Sequence, residues 1–216
     1  MAGTHIISAN VAANLDDRAI ATAPPAGYGA TAETVLANPF HYGALGDGTT
    51  NDTAAFTAAI AARNGKYLHV TAGTYVIVTL AITGSLAIIL DDGATLKHKS
   101  AASDHMIVFT GTFLRISGGT IDGNQANNPP STARYTISAQ VPPGAVVDVE
   151  GVRFVNTSSA GVAATKFAGT LEVQHCSFTG MAEHDGVLNH ETCAVNVQSA
   201  PIVPGRAGTL DPAGAP

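Results

Sequence analysis

The stretch from Met181 to Cys193, MAEHDGVLNHETC, holds the densest group of side chains able to move a proton or ligate a cation: Glu183, His184, Asp185, His190 and Glu191. Imidazoles and carboxylates this close together can bind a metal. The two histidines are six positions apart, however, and no H-E-x-x-H or comparable spacing occurs, so no metal or cofactor is expected and a solvated loop is the preferred reading. Asp122 lies in GGTIDGNQ beside Gly123 and Asn124, a trio that favours an Asx-type bend, and it reads as a turn residue. Arg134 and Tyr135 end a polar segment; a guanidinium and an aromatic ring can meet a sugar face there, with a plain exposed loop as the alternative. The glycines of GALGDG, residues 43–48, suggest a phosphate loop only superficially, because no GxxxxGK[ST] lysine follows. The triplets NDT at 51 and NTS at 156 match glycosylation sequons. With no recognisable secretion signal they carry little weight.

Composition limits the elements that could position such groups. Of 216 residues, 45% are hydrophobic and only 12% charged, with 23 glycines and 11 prolines, which suits a turn-rich β architecture with one core better than a helical bundle. A formal charge of −6 leaves no electropositive surface for phosphate backbones, so nucleic acid is not an expected partner. Cys176 and Cys193 are the only cysteines and have no zinc or disulfide spacing, so buried reduced thiols are expected. The N-terminus has neither a basic n-region nor an apolar h-region, and VTLAITGSLAIIL is too short and interrupted to span a bilayer. Synthesis in a bacterial cytoplasm without a signal peptide, and no membrane insertion, are the expectations.

Residues 1–38 show no sustained periodicity and contain Pro24 and Pro25, which predicts an extended arm that packs on something else. Next comes TAAFTAAIAAR. Asn51 or Asp52 can cap this helix, expected over about 52–63, and Phe56, Ala59, Ile60 and Arg63 fall on one narrow face. A stripe so slim lies on a larger apolar surface and builds no core alone. From Tyr67 the chain becomes short alternating runs, and three can be overlaid: Ile116, Val149 and Val173 are each followed five residues later by Ile121, Phe154 and Phe178. The copies lie 33 and then 24 residues apart, a period at which repeats stack as solenoids. The spacing predicts an all-β fold, a short parallel β-helix over 39–200. Each strand would bond to its equivalent one coil away, with corners at the SGG of 117–119, at Gly123, at Gly151 and at Asn156. The longer repeat places NQANNPPSTARY as a bulge on one flank, and 201–216 reads as a linker or tail.

The stretch HYGALGDGTTNDTAAFTAAIAA, followed by YLHVTAGTYVI, resembles the entry motif of the pectate-lyase-like right-handed β-helix superfamily. Gly43, Ala44, Gly46, Asp47, Gly48, Asp52, Thr53, Ala55, Ala59, Ile60, Ala72, Gly73, Thr74 and Tyr75 match it in order. The resemblance covers about residues 39–80. It implies an N-terminal cap: the helix, through Phe56 and Ile60, would stopper the first rung, where a stacked coil exposes its interior and unpaired backbone. Asn51 stands where the family often has Asp, and Thr71 where it usually has Pro. The acidic motifs of polygalacturonase-type members, NTDG, DD and GHG, are absent, so no catalytic residue is assigned.

The superfamily includes pectin-degrading lyases and hydrolases as well as phage tailspikes and other virion spikes that bind or cut surface polysaccharide. Roughly five coils, about 24 Å of axis at one strand spacing per coil, are short for a catalytic groove. The resemblance therefore implies a structural or adhesive spike component on a phage or phage-like particle. In that reading residues 1–38 dock onto other particle proteins, three copies associate, and the coil faces cell-surface polysaccharide. Asp122, Asn124, Arg134 and Tyr135 are the candidate glycan contacts. The alternative is the N-terminal part of a polysaccharide lyase or glycoside hydrolase of the same fold.

Overall fold

The computed structural model describes residues 36–63, 67–129, 135–140, 142–164, 169–182, 186–189 and 194–198. These residues are mostly β, with three all-parallel sheets and little helix. Sheet A contains Leu36–Ala37, Tyr67–Val70, Leu86–Leu90, Phe113–Ser117, Val146–Glu150, Thr170–Gln174 and Ala194–Gln198 in spatial order. Sheet B contains Asp47–Asn51, Gly73–Ile77, Ala94–His98, Thr120–Asp122, Arg153–Val155 and Ser177–Thr179. Sheet C contains Leu80–Ile82, Ile107–Phe109, Ile137–Ala139, Val162–Ala164 and Val187–Asn189. From Tyr67 onward the chain visits A, B and C in that order five times before its last described strand returns to A. This arrangement is compatible with a parallel β-helix.

Alternation explains why the short runs form strands. In FLRIS, VVDVE and TLEVQ, the second and fourth residues are buried and the first, third and fifth face outward, the period-2 signature of a half-buried strand. Inward residues meet their equivalents across the parallel ladder. Leu68, Ile88, Ile116, Val149 and Val173 form one row in sheet A. Tyr75, Leu96, Ile121, Phe154 and Phe178 form another in sheet B. The repeat alignment is thus reproduced residue for residue, because equal numbers of residues between turn and core position bring equal positions into register.

The helix α1 spans Thr53–Ala62. Asp52 occupies its N-cap position without a side-chain bond to the helix, and the preceding Asn51 supplies the acceptor: its Oδ1 takes the Thr53 amide at 3.2 Å and the Thr53 hydroxyl at 2.7 Å. Asp52 turns the other way, and its Oδ1 accepts the Leu45 N–H at 2.8 Å. Phe56 and Ala59 are fully buried in the cluster that includes Leu68, Tyr75 and Ile77, while Ile60 packs against it partly buried. Phe56 meets Tyr75 edge to face, with centroids 5.4 Å apart.

Three expectations change in detail. Leu36–Ala37 pairs in parallel with Tyr67 and Leu68, so this end of the expected arm belongs to sheet A; residues 1–35 lie outside the described residues. The expected bulge is held down over its first half: Asn128 is fully buried, donating to Lys99 O at 2.9 Å and accepting the Ala102 N–H at 3.0 Å. Gly123 stands at the expected bend after Thr120–Asp122, but not in left-handed backbone. A Cβ there would lie 2.6 Å from Thr157 Cα and 2.7 Å from Asn156 O, so closeness of neighbouring backbone requires the glycine. Cys176 is a buried free thiol whose pKa burial pushes up to about 11; Cys193 and 201–216 lie outside the described residues.

Candidate functional site

The outward positions of sheet A form a face on which sequence neighbours are two residues apart and spatial neighbours one strand apart. One row runs Ala87, Arg115, Asp148 and Glu172. A parallel row runs His69, Ile89, Ser117, Glu150 and Gln174. Phe113, opposite Val146, begins a third. Three large apolar side chains stay open to solvent on this face: Tyr67 at 52%, Phe113 at 38% and Ile89 at 37% exposure. Aromatic rings left uncovered beside polar groups are what sugar recognition uses, because a ring stacks on the C–H face of a pyranose while neighbouring donors and acceptors take its hydroxyls.

Those polar groups are organised by one guanidinium. Arg115 Nε lies 3.5 Å from Asp148 Oδ2, directly opposite on the next strand, and its Nη2 donates to Glu150 Oε2, diagonally across. Gln174 Nε2 reaches Glu172 Oε2 at 3.5 Å. At the corner leading into sheet B, His69 Nε2 contacts Asp91 Oδ1 at 2.7 Å, and Arg153 bridges Thr120 Oγ1 at 3.1 Å and Asp92 Oδ1 at 3.4 Å. The face therefore has aromatic rings toward one end of the stack and carboxylates toward the other.

Of the residues singled out from sequence, Asp122, Asn124 and Tyr135 lie elsewhere, where the chain passes from sheet B to sheet C. Asp122 Oδ1 accepts the Asn124 N–H at 2.8 Å and Asn156 Nδ2 at 3.3 Å, the expected bend. Asn124, at φ 52°, is buried and donates through Nδ2 to His98 O at 2.9 Å, so its amide is engaged inside the fold. Tyr135 is buried against Ala160 and Ala163, and its ring stacks on His105 at 5.0 Å with planes 9° apart. The Tyr135 N–H also donates to His105 Nδ1 at 2.9 Å, so that nitrogen carries no proton. Burial pushes the His105 pKa down, partly opposed by the adjacent Asp104. Arg134, Glu183, His184, Asp185, His190 and Glu191 lie outside the described residues. Among the described residues no group of three or more His, Cys, Asp or Glu is placed to hold a metal ion.

The entry motif is also in place. Asp47 accepts the Thr50 N–H at 2.7 Å, the Thr49 N–H at 2.8 Å and the Thr50 hydroxyl at 2.8 Å, which together hold its carboxyl well below the usual carboxylate range. Gly46 and Gly48, at φ 60° and 77°, frame it, and Thr53 Oγ1 accepts the Val78 N–H at 2.9 Å. These are structural contacts.

No protein-family profile matches the sequence, and no curated protein matches it. Among solved structures, a candidate glycosyl hydrolase from Parabacteroides merdae ATCC 43184 is similar, with a TM-score of 0.54 over 82% of this chain and 100% of that one, at 16% sequence identity. At that identity the likeness is one of fold.

Proposed function

We propose that the chain is a parallel β-helix, closed at its first rung by α1, that holds polysaccharide on the outer face of sheet A. The observation that carries this reading is the exposure of Tyr67 and Phe113 on one face of a parallel sheet, with Phe113 two residues from Arg115 and its carboxylate partners. Closure by α1 is supported by the burial of Phe56 and Ala59 against Tyr75 and Leu68. The role is that of an adhesive spike component of a phage or phage-like particle, docked through the arm that precedes Leu36 and associated as a trimer. This part rests on the entry motif from Gly43 to Tyr75 and its resemblance to pectate-lyase-like proteins.

A second reading, a polysaccharide-cleaving enzyme of the same fold, is favoured by the likeness to a candidate glycosyl hydrolase. Hydrolysis with two carboxyl groups needs them on opposite sides of the scissile bond. Asp148 and Glu150 instead share one guanidinium on one surface. Affinity electrophoresis of the purified chain in gels containing soluble polysaccharides, run beside an assay for new reducing ends and unsaturated uronate, separates the two. Retardation without cleavage, lost in Tyr67→Ala and Phe113→Ala, is the expected result. Cleavage products would establish the enzyme, and unretarded migration in every gel would remove the binding face.

A further inference from the structure

We infer that the sheet A face selects polysaccharides that carry no acidic groups, uncharged hexose or amine-bearing hexosamine polymers, and disfavours polyuronates. The inference rests on the reading of that face as the binding surface and adds the chemical class of the ligand.

The argument is one of charge placed against available donors. An acidic sugar is held in a site by a cation whose hydrogen-bonding capacity points outward, most effectively a guanidinium presenting its fork to the carboxylate. Arg115 is the one guanidinium among the described outward residues of sheet A, and two of its nitrogens, Nε and Nη2, are directed at Asp148 and Glu150, so its charge is already paired within the face. The next strand then adds Glu172, which lies opposite Asp148 and contacts the Gln174 amide. The strands Val146–Glu150 and Thr170–Gln174 thus present three carboxylates to the one guanidinium of Arg115, with adjacent strands roughly 4.8 Å apart. A uronate laid along these strands would bring its own carboxylates within a Debye length of at least two fixed negative charges, and repulsion at that range survives in ordinary buffers.

Uncharged sugars meet no such opposition. Their hydroxyls can donate to Glu150 and Glu172 and accept from Gln174, while Tyr67 and Phe113 supply the stacking surface. An ammonium group would gain in addition from Glu172. On the outer face of sheet B, Arg153 is engaged by Thr120 and Asp92, and Lys97 stands opposite Asp122 in the ladder.

The test measures dissociation constants of the full chain for three probes, a soluble β-glucan, a chitosan oligomer and polygalacturonate, at low and at raised salt. Glucan or chitosan should bind at least roughly tenfold more tightly than polygalacturonate at low salt, and salt should narrow the gap. Glu172→Gln and Glu150→Gln, both at solvent-accessible positions, should raise polygalacturonate affinity relative to glucan affinity, and the ratio of the two dissociation constants is the readout. Polygalacturonate binding as tight as glucan binding, or unaltered by both substitutions, overturns the charge selection and leaves the binding face standing. Failure of the wild type to bind any of the three overturns the face, and the selection with it.

Discussion

Phe154 and Phe178 lie on adjacent strands of sheet B with ring centroids 4.9 Å apart and planes 7° from parallel. Register imposes that geometry: identical positions in successive passes are one strand spacing apart, and that spacing is close to the contact distance of two offset rings. Phe154 is fully buried, whereas Phe178, on the last described strand of the sheet, is only partly so. Removing the inner ring should therefore cost more. Phe154→Ala is expected to destabilise by about 3–5 kcal/mol and Phe178→Ala by clearly less, because a partly open site forfeits less transfer energy and leaves no closed cavity. Denaturant midpoints of the two variants check the order; a larger loss at Phe178 would contradict it.

Corners between sheets A and B form a second row, Gly118, Gly151 and His175, all in left-handed backbone at φ 74°, 65° and 53°. They differ in room. A Cβ at Gly118 would lie 2.5 Å from Leu90 O, whereas one at Gly151 meets nothing within 4 Å. Asn tolerates the left-handed region, so Gly151→Asn should change stability by only about 0.5 kcal/mol. Gly118→Asn should cost several times more, since backbone must move. Equal thermal midpoints for the two variants would show that the corner relaxes.

These rows explain which parts of the fold are legible in the sequence. The pairing of Ile116 with Val149 and Val173, and of Ile121 with Phe154 and Phe178, follows from apolar residues at constant offset from a turn, a signal that burial enforces. The helix α1 and the glycine turn before it are equally visible, because a left-handed turn and an alanine-rich face admit few residue types. Outward residues obey no such constraint, so the Arg115 network and the exposed rings of Tyr67 and Phe113 leave no comparable signature. A trace exists: Arg115, Asp148 and Glu172 each immediately precede an aligned core residue, which places them in one row. Asn124 and Tyr135 differ from expectation because a polar, proline-containing segment reads as solvated whether or not its amides tie one turn to the next.

Asp52 is almost fully buried, with Oδ1 on the Leu45 N–H and Oδ2 without a hydrogen-bond partner. Its carboxylate fixes the 43–46 turn to the start of α1. Asp52→Ala strands the Leu45 amide and should cost about 1–3 kcal/mol. Asp52→Asn keeps an acceptor and should cost less, provided the amide oxygen takes the Oδ1 position. Hydrogen exchange at Leu45 distinguishes them: protection should be lost in the alanine variant and kept in the asparagine one. Loss in both would mean that charge, not the acceptor, holds the turn.

His105 gives stability a predictable pH dependence. Its Nδ1 accepts the Tyr135 N–H, its ring is stacked on the tyrosine, and burial pushes its pKa below the ordinary histidine value of about 6.5. The unfolded chain therefore binds a proton that the folded chain refuses in the window between the depressed folded value and about 6.5, so stability rises with pH there. The contribution is complete above about 6.5 and is lost as pH falls toward the folded value, because a proton on Nδ1 repels the Tyr135 N–H. The thermal midpoint of the wild type should accordingly fall on acidification from neutrality to about pH 5 more steeply than that of His105→Asn, which cannot titrate. Proton NMR of the His105 ring should place its midpoint below that of histidine in a short unstructured peptide. Parallel pH profiles for wild type and variant, or a His105 midpoint above about 6.5, would show that the imidazole is not held neutral by this packing.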